Sequence, residues 1–466
     1  MTRIAIIGGG PAGYEAAFVA AQLGAQVSII DRAGLGGACV LTDCVPSKTL
    51  IATSDRVTAV RDATRVGIHG PVDVRADLAA VNDRIKDLAQ QQSRDIESRL
   101  LREGVSILRG SGRFAATHAD RTRRIEVADE TGALADTIEA DAVLLATGGT
   151  PRILPTAVPD GDRILSWRDL YELKALPEHL IVVGSGVTGA EFASGYSELG
   201  VPVTLVSSRA RVLPGEDPDA AAVIEQVFTA RGGTLMKRAR AAAVRNTGDE
   251  VLVELLDGRT VSGSHALMCV GALPDTTGLG LEHAGVARDA TGYVAVDRVS
   301  RTNVPAVYAA GDCTGVLLLA SVAGMQGRIA MWHALGEAVE PLRLKTVAAT
   351  VFTQPEIATV GVGYQAIATG AFTARSVTVP LATNARAKMQ GHRDGFVKVY
   401  CRPTTGAIVG GVIVAPGASE LIFPLAVAVH RGLTVGEVAS TIGVYPSLSG
   451  SVAEAARRLM LHDDLM

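Results

Sequence analysis

Along this chain, short apolar runs break at glycine and reopen as helical stretches. Residues 4–7 (IAII) predict a buried strand, Gly8, Gly10 and Gly13 follow, and a helical stretch runs from Tyr14 to Leu23. A second strand, Gln26 to Ile30, ends at Asp31 and completes a βαβ opening. The same grammar returns at residues 180–207. There LIVV is the strand, Gly184, Ser185 and Gly186 make the turn, and Gly189 closes it; a helix reaches about Leu199 and VPVTLV is the next strand. Two copies of one unit, about 175 residues apart, predict two nucleotide-binding domains.

Between and after these units the pattern changes. Residues 77–103 predict a long polar-faced helix, and GVSILRGSGRF after it turns into a strand. Residues 122–146 alternate strand and turn up to VLLATGG, and residues 294–314 run strand, turn, strand into YAAGDCTG. From Thr346 onward the segments GFVKVYC and AIVGGVIVA predict antiparallel strands, with helices at 419–430 and 434–441, an α+β domain of its own. The expected fold class is α/β, with two Rossmann-like domains and a C-terminal α+β domain.

Composition narrows the classes. The chain has 466 residues, enough for about three domains. A net charge of −4 implies neither a nucleic-acid partner nor an anionic membrane surface. Mean hydropathy is +0.27, yet no apolar run approaches the length of a membrane span, so no membrane insertion is expected. The start MTRIAIIGGG carries no export signal. Five cysteines are an odd, sparse set rather than a disulfide framework. A reducing cytoplasm is the expected compartment, where any disulfide is catalytic.

Two motifs carry chemistry. In Gly8-Gly9-Gly10-Pro11-Ala12-Gly13 glycine permits a tight turn and close approach of N–H groups to a pyrophosphate at a helix N-terminus. Asp31, at the end of the next strand, can accept both ribose hydroxyls. In Gly36-Gly37-Ala38-Cys39-Val40-Leu41-Thr42-Asp43-Cys44-Val45-Pro46-Ser47-Lys48 the two cysteines can lie one helical turn apart, close enough to bridge, and a helix N-terminus with a nearby lysine lowers a thiol pKa. Taken alone, C-x4-C equally describes two buried core thiols. Its position straight after a dinucleotide-binding βαβ favours the redox reading.

At these residues the chain resembles the class I pyridine nucleotide–disulfide oxidoreductases, which include lipoamide dehydrogenase, glutathione reductase, mercuric reductase and soluble transhydrogenase. It matches their signature G-G-x-C-x4-C-x-P-S-K throughout. Ala146-Thr147-Gly148, GSGVTGAE at Gly184–Glu191, Val270-Gly271 with Pro274, Tyr308-Ala309-Ala310-Gly311-Asp312 and Val351–Glu356 match further family segments in order, although the family's arginine is Ala272 here. The resemblance implies an FAD domain (1–150 and 272–344), an NAD(P)H domain (151–271) and a C-terminal dimerisation domain (345–466) of a homodimer. It implies FAD contacts from Gly8, Gly10, Pro11, Ala12, Gly13, Asp31, Arg32, Gly37, Ala38, Cys39, Lys48, Gly112, Thr147, Gly148, Gly311, Asp312, Leu319 and Ala320. It implies NADPH or NADH contacts from Gly184, Gly186, Val187, Thr188, Gly189, Glu191, Ser207, Ser208, Arg209, Arg211 and Gly271. By the same resemblance Cys44 is the thiol against the flavin, Cys39 the outer thiol, and Lys48, paired with Glu191, sits near flavin N5. The same Lys48–Glu191 pair can also be read as a plain buried ion pair. No metal site is expected.

The chain departs from the family where the reductases carry a histidine–glutamate base pair, H-P-x-x-x-E. Here the segment reads Tyr445-Pro446-Ser447-Leu448-Ser449-Gly450. A thiol needs a base poised near neutrality, and a phenol near pKa 10 is a poor substitute. His430 and His462 lie on helical stretches with surface or packing roles. Mercuric reductase also has tyrosine at this place but adds a C-terminal cysteine pair, absent from RRLMLHDDLM; soluble transhydrogenase also reads Y-P and often lacks the outer cysteine. Within the family the chain most resembles the lipoamide-dehydrogenase-like NAD(P)H:quinone reductases of actinobacteria, in GSGVTGAEF, TNARAKM, VYPSLSGS and EAARRLM, differing at Cys39, where they have alanine.

The expected function is therefore passage of electrons from NAD(P)H through flavin to a quinone-like acceptor, with Tyr445 in the base position. The alternatives are a soluble transhydrogenase, a dihydrolipoyl dehydrogenase, and a non-catalytic scaffold that keeps FAD for stability. At the nicotinamide donor, Ser207 stands where NAD-specific relatives place a glutamate, and Arg209 and Arg211 suit a 2′-phosphate. The other reading of these two arginines is a solvated loop in an arginine-rich chain.

Overall fold

Ile4 and Ile6 alternate with Ala5 and Ile7 along the first strand, and all four are buried, so both faces of that strand must be covered. A parallel sheet with a layer on each side meets that demand. The computed structural model describes residues 1–70, 74–116 and 123–460, and its contacts divide the chain into two units. The first comprises Met1–Ser47, Asn82–Arg152 and Gly271–Arg343. Its five-stranded sheet runs in the order Val307–Ala309, Ala142–Leu145, Arg3–Ile7, Gln26–Asp31, Ser106–Arg109, all pairs parallel. On one face Ile4, Ile6 and Leu144 pack against Ala16, Ala17 and Ala20 of the helix Pro11–Gln22 and against Ala323 and Met331 of the helix Ala320–Ala334. On the other face Ala5, Ile7, Val143 and Leu145 meet Phe114, Ile125 and Val127 from the antiparallel strands Ser111–Phe114, Arg123–Ala128 and Leu134–Ala140.

The second unit comprises Lys48–Val81, Ile153–Val270 and Leu344–Met466. Its parallel sheet runs Thr234–Met236, Val203–Val206, Leu180–Val183, His265–Met268, Ile164–Leu165. A second sheet in the same unit is antiparallel, in the order Ala348–Val351, Glu356–Gly361, Ile408–Ala415, Phe396–Cys401, Arg375–Pro380. Ile422 and Leu425 of the helix Ala418–Arg431, and Val452, Ala455 and Leu459 of the helix Gly450–Met460, fill its core. Asp217 caps the helix Pro218–Ala230, and its carboxylate also takes Lys398 Nζ at 2.8 Å and Tyr400 OH at 2.9 Å, so one buried acid ties that cap to the antiparallel sheet.

The long helix is Leu78–Arg102, and the tail helices are Ala418–Arg431 and Val435–Ser440. Two segments differ from the sequence reading. Residues 294–314 hold one strand, Val307–Ala309; the run before it makes only isolated bridges, Arg288↔Val294 and Arg301↔Tyr308. The run after the long helix is two strands, Ser106–Arg109 and Ser111–Phe114, broken at Gly110. The helix Gly450–Met460, with polar residues between its buried ones, is additional. His462 and the end of the tail lie outside the described residues. Among the described residues no helix is long and apolar enough to cross a membrane.

Candidate active site

Two glycine turns have the same build. A Cβ on Gly13 would stand 1.9 Å from the carbonyl oxygen of Gly8, and one on Gly189 would stand 1.9 Å from that of Gly184. Only glycine lets each helix start this close to its strand. The middle glycines do the opposite: a Cβ on Gly10 or Gly186 would meet nothing within 4 Å. These two are the N-cap residues of the helices Pro11–Gln22 and Val187–Leu199, and neither helix has a side-chain cap or an acidic residue in its first turn. Open space in front of uncapped N–H groups fits the diphosphate of a dinucleotide at each turn.

Asp31, at the end of its strand, is buried. Its Oδ2 accepts from Gly9 N at 2.7 Å, and Oδ1 accepts from Ala33 N and Gly34 N at 2.8 and 2.6 Å. A carboxylate has about four acceptor positions, so three are taken by backbone and one, on Oδ2, is left for a ribose hydroxyl. The expectation that it accepts both ribose hydroxyls is corrected to one acceptor position plus a loop-ordering role. Arg32 is turned to Asp275 (2.6 Å), and Thr147 Oγ1 donates to the carbonyl of Asp275 at 2.6 Å. Gly148 has φ +74° with open space beside it, and Gly112 lies under Ile7 and Ile30. Gly311 N donates to Gln326 Oε1 at 2.9 Å, and Leu319 is the N-cap of the helix that begins at Ala320. Burial, reinforced by the charge of Asp43, pushes the Asp312 carboxyl up to about 6.

The cysteines occupy two helices rather than one turn of a single helix. Ala38 and Cys39 belong to Gly37–Leu41, Cys44 opens Cys44–Arg61, and Asp43 N donates back to Ala38 O at 2.7 Å across the break. The two thiols are nevertheless hydrogen-bonded to each other. The expected lowering of thiol pKa is corrected for Cys39. Its hydrogen bond with Cys44, then burial, then the charges of Cys44, Asp43 and Asp312 all push it up and disfavour the thiolate.

One helical turn after Cys44, Lys48 Nζ lies 2.6 Å from Glu191 Oε2, and the Glu191 side chain is only 4% exposed. Glu191 Oε1 accepts from Phe352 N at 2.9 Å, and the Lys48 ammonium stands 4.9 Å from the centre of the Phe352 ring. Phe352 thus holds both members of the pair, its N–H on the carboxylate and its ring against the ammonium.

At the second glycine turn Ser207 is 1% exposed, its hydroxyl 2.6 Å from that of Ser185. It also accepts from Arg209 N at 3.1 Å. Ser207 therefore fixes the loop from within. Val187 and Thr188 open the helix here, Gly271 has φ +98°, and Ser208 and Arg209 are exposed. Arg211 Nη2 donates to the carbonyl of Pro214 at 3.3 Å. Arg238 N donates to Arg209 O at 2.9 Å, which brings a further cation to the same loop. Tyr445 is 86% exposed. Among the described residues no cluster of three His, Cys, Asp or Glu could hold a metal.

A family model described as pyridine nucleotide-disulphide oxidoreductase matches residues 2–327, and the dimerisation domain of that family matches residues 347–456. The chain belongs to the pyridine nucleotide-disulphide oxidoreductases. Within this family an NAD(P)H dehydrogenase (quinone) of Mycobacterium tuberculosis is 58% identical, over 100% of this chain and 95% of that protein. A dihydrolipoyl dehydrogenase of Chlamydia pneumoniae is 32% identical, over 97% of this chain and 95% of its own. The crystal structure of M. tuberculosis LpdA has a TM-score of 0.95 at 58% identity, over 99% of this chain and 100% of that one. The HOCl-induced flavoprotein disulfide reductase RclA of Escherichia coli has a TM-score of 0.85 at 23% identity over 98% of this chain and 99% of that one, a likeness of fold. The protein is an α/β oxidoreductase with parallel nucleotide-binding sheets and a dimerisation domain.

For this oxidoreductase, sequence reasoning missed Asp43, Phe352 and Arg238. Asp43 lay inside the quoted cysteine motif, where its charge could have been weighed. Phe352 lies in the matched segment Val351–Glu356, though its contact with Lys48 and Glu191 comes only with the fold, and Arg238 leaves no local signal.

Proposed function

We propose that the protein is an FAD-dependent NAD(P)H dehydrogenase that delivers two electrons to a quinone-like acceptor, working as a cytoplasmic homodimer. One contrast carries this reading. The Lys48–Glu191 pair is intact at 2.6 Å, whereas Tyr445 and Gly450 stand where the family's dithiol base and its orienting carboxylate belong. Bound FAD supplies hydride acceptance from NAD(P)H and two-electron delivery to the acceptor. Gly8, Gly10, Pro11, Ala12 and Gly13 cradle its diphosphate, Asp31 and Asp312 take sugar and ribityl hydroxyls, and Lys48 stabilises negative charge that develops on reduction. Gly184, Gly186 and Gly189 cradle the nicotinamide dinucleotide, with Arg209, Arg211 and Arg238 facing a 2′-phosphate. A quinone takes protons from solvent or a nearby acid, so a site without a thiol base suffices. The 58% identity to an NAD(P)H dehydrogenase (quinone) supports the same acceptor class. The exposed Phe423, Ile442, Val444 and Tyr445 leave the dimerisation domain with apolar side chains that suit burial against a second copy.

Anaerobic reduction with NADPH, followed by quinones, lipoamide and NAD⁺ in turn, tests this. Quinone turnover is expected, with lipoamide slower by about 10²–10⁴-fold, the usual contribution of general acid–base catalysis. Tyr445→His with Gly450→Glu is expected to raise dithiol turnover. Wild-type lipoamide turnover as fast as quinone turnover overturns the reading, and faster exchange between NADPH and NAD⁺ makes the protein a transhydrogenase.

A further inference from the structure

The helix Val187–Leu199 carries Glu191, Ser194 and Glu198 at positions i, i+3 and i+7, on one face. Glu191 belongs to the pair already described. Glu198 is a second acid whose side chain is 1% exposed. Its Oε1 accepts from Ser194 Oγ at 2.8 Å and from Arg231 Nη1 at 3.1 Å, and its Oε2 accepts from Ser54 Oγ at 3.0 Å. Asp55 is hydrogen-bonded to Glu198 and accepts from Gln354 Nε2 at 3.1 Å. Glu198 is buried and Asp55 is half-buried, and burial together with the charge of Asp55 pushes the Glu198 carboxyl up to about 7. Burial pushes both up, opposed by Arg231, with Arg56 also acting on Asp55. Among the other charged groups here, Glu356 lies within reach of the charge of Asp55, and the Arg61 guanidinium donates to the backbone carbonyls of Glu198 and Leu199.

The bonds of this acid pair lead back to the active-site pair. Gln354 N donates to Ser194 Oγ at 3.2 Å, and Gln354 O accepts from Arg231 Nη1 at 3.4 Å. Two residues earlier in the same turn, Phe352 N holds Glu191 Oε1 at 2.9 Å and its ring faces Lys48. The turn 352–354 is thus pinned at one end by Glu191 and at the other by Ser194, Arg231 and Asp55. We propose that Glu198 is a positioning residue for the Lys48–Glu191 pair, acting through Asp55, Ser194 and the turn 352–354 to fix where the ammonium stands. This rests on the flavoenzyme reading given above.

The prediction concerns the full-length, FAD-loaded enzyme, reduced anaerobically by NADPH across a range of pH. Ionising Glu198 as pH rises puts its charge beside that of Asp55 and loosens the turn, so wild-type flavin reduction is expected to slow at high pH. Glu198→Ala is expected to slow reduction about tenfold, the effect of roughly one charge-assisted hydrogen bond, with little change in KM for NADPH. Glu198→Gln keeps one oxygen to accept from Ser194 and Arg231, turns the Ser54 side into an amide donor, and has no proton to lose; it recovers most of that rate and flattens the pH profile. Ser194→Ala, which removes one link and no charge, slows reduction about threefold. A folded Glu198→Ala with wild-type rate and pH profile overturns the inference and leaves the flavoenzyme reading standing. If that variant does not fold, an unchanged Ser194→Ala does the same. A wild-type flavin that NADPH and NADH both fail to reduce overturns the flavoenzyme reading and this inference together.

Discussion

Ser207 directs its hydroxyl inward to Ser185, and that one bond shifts the burden of donor choice onto its neighbours. On the proposed function, the residue meeting the adenosine ribose at this strand end is a serine, which carries no charge to repel a 2′-phosphate. Arg238 N donates to Arg209 O at 2.9 Å, which brings together two guanidinium-bearing residues from adjacent loops. A charge-assisted contact is worth about 1.5–3 kcal/mol, which is tenfold or somewhat more in binding. Arg209→Ala is therefore expected to lower kcat/KM for NADPH at least about tenfold while leaving the NADH value near wild type. Steady-state kinetics with both donors decides it; equal effects on the two make Arg209 a bystander. At this scale glycines and cysteines were legible because each demands its residue type by local geometry. Asp31 was legible as an acid at a strand end, but not as one whose carboxylate is mostly taken by Gly9, Ala33 and Gly34, because those bonds depend on how the loop closes. The Cys39 thiol was misread for a related reason. A lysine four residues after Cys44 can be seen in the chain, whereas the thiol–thiol bond and the charge of Asp312 require the fold.

At the scale of the element, the two glycine turns make a sharp pair of expectations. Gly13→Ala drives a methyl group to within 1.9 Å of a backbone oxygen, a contact that no rotamer relieves. Gly10→Ala puts the same methyl into open space. Gly13→Ala is expected to fail to fold or to lose several kcal/mol, in the range of severe core overpacking. Gly10→Ala is expected to fold with wild-type circular dichroism and to bind FAD poorly, read from the flavin absorbance after reconstitution. A Gly10→Ala protein that retains full flavin refutes the cradle assigned to that glycine. Strands and helices with a clean period, such as Leu180–Val183 and Val187–Leu199, were readable from their pattern. The stretch before Val307 was not: its apolar residues bury against the first unit's core, yet it pairs only through the isolated bridges Arg288↔Val294 and Arg301↔Tyr308. Apolarity reports burial, while a strand also needs a neighbour with matching hydrogen bonds.

For the whole molecule, acid–base behaviour follows from buried carboxyls. Asp312 has an ordinary value of 3.8 and is pushed up to about 6 by burial and Asp43. Between those values the folded chain binds a proton that the unfolded chain does not, so its contribution to stability falls as pH rises through that window. The flavin-free protein is expected to lose about 2–3 kcal/mol on this account. Asp312→Asn removes that part of the slope. Denaturant unfolding of both proteins at pH 4 and pH 7 measures it, and parallel curves exclude the effect. At this scale the repeat of one βαβ grammar announced two parallel sheets, and the C-terminal shift to antiparallel strands was visible in the sequence. That the antiparallel sheet shares a unit with the second parallel sheet was not visible, because Lys398 and Asp217 are separated by 181 residues. The uncapped helices at Gly10 and Gly186 reach beyond the test tube. On the proposed function, a chain that omits its own caps leaves part of its architecture to be supplied by a vitamin-derived molecule. Ligand at a hundred times its Kd adds about 2.7 kcal/mol to a fold that binds it. In a cell short of riboflavin, this enzyme is therefore expected to become scarce as well as idle, because its unfilled form is the one that proteases clear first.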